Sequence, residues 1–325
     1  MQALKDFIKQ CQDAYDRGSP LLTNEEYDAL TRRNPRVEEE IGVEGDQPHI
    51  FRMYSLQKVY KSRGEDHELI DSPTSVETDK LDGCAISLLY LDGVLVQALT
   101  RGNGIKGEDV TLNAKMLNVP RKIDIPGILQ ITGEVLVTKE LDNMRNYSSG
   151  AMRLSSTDEF FDRIKEAGLV FAAYGVQGST ESVGLFPTYR EDLKWLVTQG
   201  FLTVGDINDH FDWFPTDGKV YRLDSNTAFV SKGWTNKFPR GAIALKEDAE
   251  GEITTLRKVT WDVGASGKVT PVGHFDPVTI DGATITKATL NNQEYISGLD
   301  LELNCMIKVI RAGGVIPRII ERIYD

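Results

Sequence analysis

The sequence predicts an α+β protein in three parts: a small N-terminal helical pair, a central domain of mixed, mostly antiparallel strands, and a C-terminal closed β-barrel. Three observations predict it. The first 47 residues carry helical apolar spacing, the stretch up to residue 248 mixes hairpins with short helices, and the remainder to residue 325 is almost wholly strand. A chain of 325 residues also exceeds what one ordinary core holds.

Leu4, Phe7, Ile8, Cys11 and Tyr15 fall on one face at 3–4 spacing, so the chain opens with an amphipathic helix. "RGSP" breaks it. Thr23 with Glu26 three positions later is the capping-box signature of a second helix, "NEEYDALTRR", which Pro35 ends. Such a pair is small for an independent domain and is expected to pack on something larger.

From residue 48 the pattern changes to strands. "CAISLLYLDGVLVQALT" is two apolar runs joined by Asp92-Gly93, a strong hairpin signal. "LQITGEVLV", "LVFAAYGVQ", "GKVYRL" and "GAIALKED" read as further strands, with helices "DEFFDRIKEA" and "TYREDLKWLVTQG" between them. Hairpins and irregular crossovers favour antiparallel pairing. After Gly251, roughly five strands in about 75 residues with glycine-rich corners fit a barrel of the OB type.

No stretch approaches the length of a transmembrane helix, and "MQALKDFIKQ" has no signal-peptide pattern, so no membrane contact and a cytoplasmic location are expected. Cys11, Cys84 and Cys305 stand far apart without CxxC or CxxH spacing, which argues against zinc and against a disulfide framework. A net charge of −12 excludes a broad basic grip on nucleic acid. Any such contact needs local basic patches or a second chain.

Lys80 poses the chemical question, because it precedes a buried apolar run within "KLDG". That tetrapeptide alone also fits a solvated lysine at a strand edge. Further segments follow in order: "HIFRMYSLQKVY", "TRGNGIKGEDVT", "TGEV", "YGV", "DGKVYR", "AIALK", then "VGASGKVTPV", "ATLNN" and "RAGGVIP". Together they resemble the nucleotidyl-lysine motif and accompanying segments of the NAD-dependent DNA ligases, from the N-terminal helices to the last residue.

The resemblance implies a nucleotidyltransferase (adenylation) domain over residues 48–248, an OB-fold domain over 249–325 and an NMN-binding helical module over 1–47. It implies sealing of nicks in duplex DNA through a lysine–AMP intermediate formed from NAD, with Mg2+ and with release of NMN. Lys80 would be the nucleophile, assisted by Asp82 and Lys246. Ser55, Leu56, Arg101, Glu134, Tyr174 and Arg222 would hold the adenylate. Tyr15, Asp16, Tyr27 and Asp28 would take the nicotinamide half, and Arg145 and Arg153 would meet DNA phosphates.

These residue types suit that chemistry. A lysine amine attacks phosphorus only when neutral, so burial or a neighbouring cation must lower its proton affinity. Lys246 and Arg222, expected in the same pocket, would also neutralise charge growing on the phosphate. Glu134 suits a ribose hydroxyl or a magnesium ion, and Tyr174 offers a flat face for adenine.

The chain departs from the family pattern at several points. Asp16 and Asn24 replace a histidine and an aspartate, and Arg222 replaces a lysine. Ala265 and Gly314 replace polar residues of the barrel. Thr78 stands where a glutamate is usual, with Glu77 beside it as the expected substitute for adenine recognition. Relatives of this kind continue into zinc-finger, helix-hairpin-helix and BRCT domains, so a second polypeptide supplying DNA-binding domains is expected. Two other readings stay open: an RNA-ligase or capping-type nucleotidyltransferase, and a non-catalytic subunit of a ligase assembly.

Overall fold

A computed structural model describes residues 2–16, 20–34, 45–61, 64–141, 144–178, 183–246, 251–263, 267, 269–280, 282–312 and 316–324. The chain divides into two compact units. One combines Met1–Tyr15, Ser19–Gly42 and Ala249–Asp325; the other is essentially Val43–Asp248. Ala265 and Gly314 lie outside the described residues, as do the side chains of Tyr15, Asp16 and Asn24. No helix among the described residues is long and apolar enough to cross a membrane.

The first unit is built on a closed barrel of five strands, Glu252–Val263, Val269–Ile280, Ala283–Thr289, Met306–Ala312 and Ile316–Ile323. All pairings are antiparallel except Ala283–Thr289 beside Ile316–Ile323. Closure leaves no free sheet edge. Leu256, Leu290, Ile307, Val309 and Ile319 fill the barrel, and Tyr295 is anchored inside by its hydroxyl on the Ile319 carbonyl at 2.8 Å.

Helices Gln2–Asp16 and Asn24–Arg33 share that core through Phe7, Ile8, Cys11, Ala29 and Leu30, joined by Leu22 just ahead of the second helix. The capping box forms as its spacing implies: Thr23 Oγ1 accepts from Glu26 N, and Glu26 Oε2 accepts from Thr23 N. Glu26 is wholly buried, and its Oε1 meets Asn291 Nδ2 at 3.0 Å and Arg318 Nη1 at 3.4 Å. Gly298 lets the second helix approach, since a Cβ there would stand 2.3 Å from Leu30 Cδ1.

The second unit holds two main sheets. The larger is ordered Val94–Thr100, Cys84–Leu91, Ile128–Leu136, Val170–Gln177, Leu202–Thr203, antiparallel until its last, parallel pairing. Asp92-Gly93 turns the first hairpin with φ of 46° and 75°. The smaller sheet is ordered Gln57–Tyr60, Ala242–Lys246, Thr216–Leu223, Ser75–Leu81. Lys80 is the penultimate residue of a strand of the smaller sheet, and Asp82-Gly83 carries the chain directly into the larger one. Gly83 is required there, because a Cβ would stand 2.1 Å from the Val135 carbonyl oxygen. The lysine therefore sits where the two sheets diverge.

Candidate active site

The centre of the site is one carboxylate between two amines. Lys80 Nζ lies 2.7 Å from Asp217 Oδ1, and Lys246 Nζ lies 2.9 Å from Asp217 Oδ2. Asp217 reaches Lys80 through a bulge. Thr216 pairs with Leu81 and Lys219 with Asp79, so Asp217 and Gly218 together oppose Lys80. An extra residue re-aims side chains on the bulged strand. Gly218 takes φ +135°, and a Cβ on it would be 2.1 Å from the Leu245 carbonyl oxygen.

Burial is the largest influence on Lys80 and lowers its pKa; Lys246 and Arg145 push the same way against the opposing pull of Asp217. Burial alone would raise Asp217, but Lys80 and Lys246 outweigh it and hold the carboxyl below the usual range. The arrangement yields a lysine readier than usual to lose its proton, with an acceptor already in contact.

Asp82 forms the next layer, its Oδ1 3.0 Å from Arg145 Nη1. Arg145, expected on DNA, is thus tied to the aspartate two residues beyond the lysine. Arg153, expected in the same role, pairs with Glu108 through Nε. Glu134 is buried, and its Oε1 accepts from the Gly83 amide at 3.2 Å. Burial, opposed by Arg145, Lys80 and Arg101, pushes its pKa up to about 7. Tyr174 is half-buried, its phenol pushed up by burial and by Glu134, and its carbonyl accepts from Tyr189 Oη at 3.0 Å. Ser55 is exposed on the chain just ahead of Gln57–Tyr60, while Leu56 packs against the core of the smaller sheet.

Two of the expected adenylate residues have partners of their own. Glu77 does not face the Lys80 side of its strand. Alternation puts Glu77 and Asp79 on one face, where Tyr221 Oη donates to Glu77 Oε2 at 2.8 Å and Lys219 Nζ lies 2.7 Å from Asp79 Oδ1. Thr78 and Lys80 point to the other face. Arg222 pairs with Val76 and so lies on the Thr78 and Lys80 face of the sheet. Its guanidinium lies 4.2 Å from the Tyr189 ring centre and 4.4 Å from that of Phe229, and Nη2 donates to Asn226 Oδ1 at 2.7 Å. A planar guanidinium stacks between aromatic faces in a way an ammonium does not.

Tyr27 donates its hydroxyl to Gln12 Oε1 at 2.9 Å and packs against the helix–barrel core. Asp28 is half-buried on the same helix. Among the described residues no three His, Cys, Asp or Glu side chains cluster as a metal cage. Magnesium needs no such cage, since one carboxylate, phosphate oxygens and waters complete its shell. Glu134 fits that single position, because a buried carboxyl is stabilised in its charged form by a neighbouring cation. The sequence assigns no role to His49, Ser87 or Tyr189: His49 opens the segment "HIFRMYSLQKVY", yet its partners, like theirs, come only through the fold.

Residues 45–212 match the NAD-dependent DNA ligase adenylation domain, and residues 253–325 match the NAD-dependent DNA ligase OB-fold domain. Lys80, Glu134 and Tyr174 fall inside the first match; Asp217 and Lys246 fall between the two. DNA ligase 1 of Nocardia farcinica is 32% identical over 366 residues, covering 98% of this chain and 54% of that protein. The DNA ligase of Campylobacter concisus is 33% identical over 371 residues, covering 96% of this chain and 56% of that protein. The chain thus spans about half the length of these relatives. With both domain matches in register with the lysine pocket and the barrel, the chain belongs to the family of NAD-dependent DNA ligases.

Proposed function

We propose that this chain takes AMP from NAD onto Lys80 and passes it to the 5′-phosphate of a nick in duplex DNA. The observation that carries the proposal is the shared Asp217 carboxylate, which holds the Lys80 and Lys246 amines in one half-buried pocket. Neutral Lys80 attacks the α-phosphorus of NAD. The N–P bond forms as the bond to the phosphate oxygen of NMN breaks, and the proton lost from the amine leaves along the hydrogen bond to Asp217. Lys246 offsets charge on the α-phosphate. In the second step a 5′-phosphate oxygen displaces Lys80, which departs as an amine and regains its proton. The 3′-hydroxyl then displaces AMP and closes the strand.

Arg101 and Tyr174 hold the adenylate, and Ser55 and Leu56 border it. Glu134 would be the protein ligand of a magnesium ion, which when bound neutralises phosphate charge. Residues 1–47 form the module for the nicotinamide half, with Tyr15, Asp16, Tyr27 and Asp28 as its contacts. Nick sealing is proposed to require a further DNA-binding chain. The net charge of −12 supports this, as does the engagement of Arg145 and Arg153 by Asp82 and Glu108.

The test is an intact-mass measurement after incubation with NAD and magnesium. One added AMP is expected on the native chain and none on Lys80→Ala; label on Lys80→Ala would assign the nucleophile elsewhere. Asp28→Ala should weaken use of NAD but spare joining of a DNA end already bearing AMP. Efficient sealing at near-physiological salt by the isolated chain would remove the need for a partner.

A further inference from the structure

The loop 101–107 leads away from strand Val94–Thr100 and is strapped down by the segment 47–53. Gln47 and Pro48 pair with Gly107 and Lys106, His49 N donates to Ile105 O at 2.9 Å, and Met53 N donates to Gly104 O at 2.9 Å. The strap lies so close that the loop needs glycine. A Cβ on Gly104, at φ +83°, would stand 2.3 Å from the Met53 carbonyl oxygen.

At the base of this loop the Arg101 backbone is held on both sides. Its N–H donates to Ala85 O at 2.9 Å, and its carbonyl lies 3.1 Å from His49 Nε2. His49 Nδ1 is 2.9 Å from Ser87 Oγ, on the same strand as Ala85. A carbonyl can only accept, so Nε2 carries the ring proton. In the neutral ring Nδ1 is then the acceptor and the buried Ser87 hydroxyl the donor. Burial holds the His49 pKa below the ordinary imidazole value, in keeping with a neutral ring, although the bonds to the Arg101 and Thr100 backbone oppose it. The charge on Arg101 acts in turn on Glu134 and on Tyr174.

We propose that His49 is a positioning residue for AMP transfer. Bridging Ser87 and the Arg101 carbonyl, it fixes where the Arg101 guanidinium meets the adenylate half of NAD. This rests on the function proposed above.

Two substitutions separate the two ring contacts. A glutamine amide nitrogen reaches close to the place of Nε2 and keeps a donor for Arg101. An asparagine amide reaches only the place of Nδ1 and drops it. In single-turnover AMP transfer, His49→Asn is expected to raise the NAD concentration for half-maximal rate about tenfold or more, with a smaller effect on the limiting rate. His49→Gln should stay close to the native chain. Equal impairment of both variants, or of neither, would overturn the proposal.

A second measurement needs no variant. The 15N shifts of the native His49 ring should report the neutral, Nε2-protonated tautomer at neutral pH, and an Nδ1-protonated ring would also overturn it. A native chain that takes no AMP from NAD counts against the proposed function itself. Normal labelling by every His49 variant counts against His49 alone.

Discussion

Asp217 Oδ1 accepts a hydrogen bond from Lys80 Nζ at 2.7 Å, although 137 residues separate the two. Asp217 favours the charged amine, while burial and Lys246 favour the neutral one. The readiness of Lys80 to attack is the balance of these influences, and each can be removed separately.

Removing Asp217 takes away the charge that retains the proton, so Asp217→Asn should move the pH–rate curve of AMP transfer to lower pH. Removing Lys246 takes away a repelling cation, so Lys246→Met should move the curve to higher pH. Lys246→Met should also lower the limiting rate by about 10²–10³, the usual loss when a transition-state charge partner is deleted. Single-turnover labelling across neutral to alkaline pH measures both. Curves that coincide with the native one would mean that neither group governs Lys80.

Glu134 links the pocket to stability. Its pKa stands at about 7 in the fold against an ordinary 4.5, because burial disfavours the charged form. The folded chain therefore keeps this proton where the unfolded chain has lost it. Stability from that difference is complete below about pH 4.5 and is lost as pH rises through about 7, an effect of about 3 kcal/mol. Glu134→Gln cannot titrate. In urea denaturation its stability relative to the native chain should grow by about that amount over this interval. A pH-independent difference would show that Glu134 is not the titrating group.

The contact between helices and barrel depends on Glu26, which is wholly buried against Arg318 and Asn291 and also closes the cap of its own helix. Glu26→Ala leaves Arg318 without that partner and should cost about 3–5 kcal/mol. Arg33 pairs with Asp300 at the surface at 2.8 Å, and Arg33→Ala should cost under about 1 kcal/mol. Denaturation of the two variants side by side tests the contrast; similar losses would mean that the buried carboxylate is not the anchor.

Gly218 sets the aim of Asp217. With φ +135° and the Leu245 carbonyl oxygen 2.1 Å from the place of a Cβ, Gly218→Ala must strain or reshape the bulge. It should cost about 1–3 kcal/mol and slow AMP transfer. Gly127 has φ +82° but open space around it, so Gly127→Ala should carry strain without a loss of transfer. Normal labelling by Gly218→Ala would show that the bulge does not position Asp217.

Much was readable along the chain because it is local chemistry. The Thr23–Glu26 box, the Asp92-Gly93 turn, the strand-rich end of the chain and the lysine of "KLDG" each depend on residues a few positions apart. The partners of that lysine are not local. Glu77 lies three residues before Lys80 yet turns to the opposite face, because successive side chains of a strand alternate. Asp217 meets Lys80 because two strands pair in one register and a bulge re-aims a side chain within it. Arg222 belongs to the same strand as Asp217, but Tyr189 from a distant helix, with Phe229 from the helix that follows the strand, claims its guanidinium. Register, bulge and aromatic cage arise only when remote segments pack together, so these contacts had to wait for the fold.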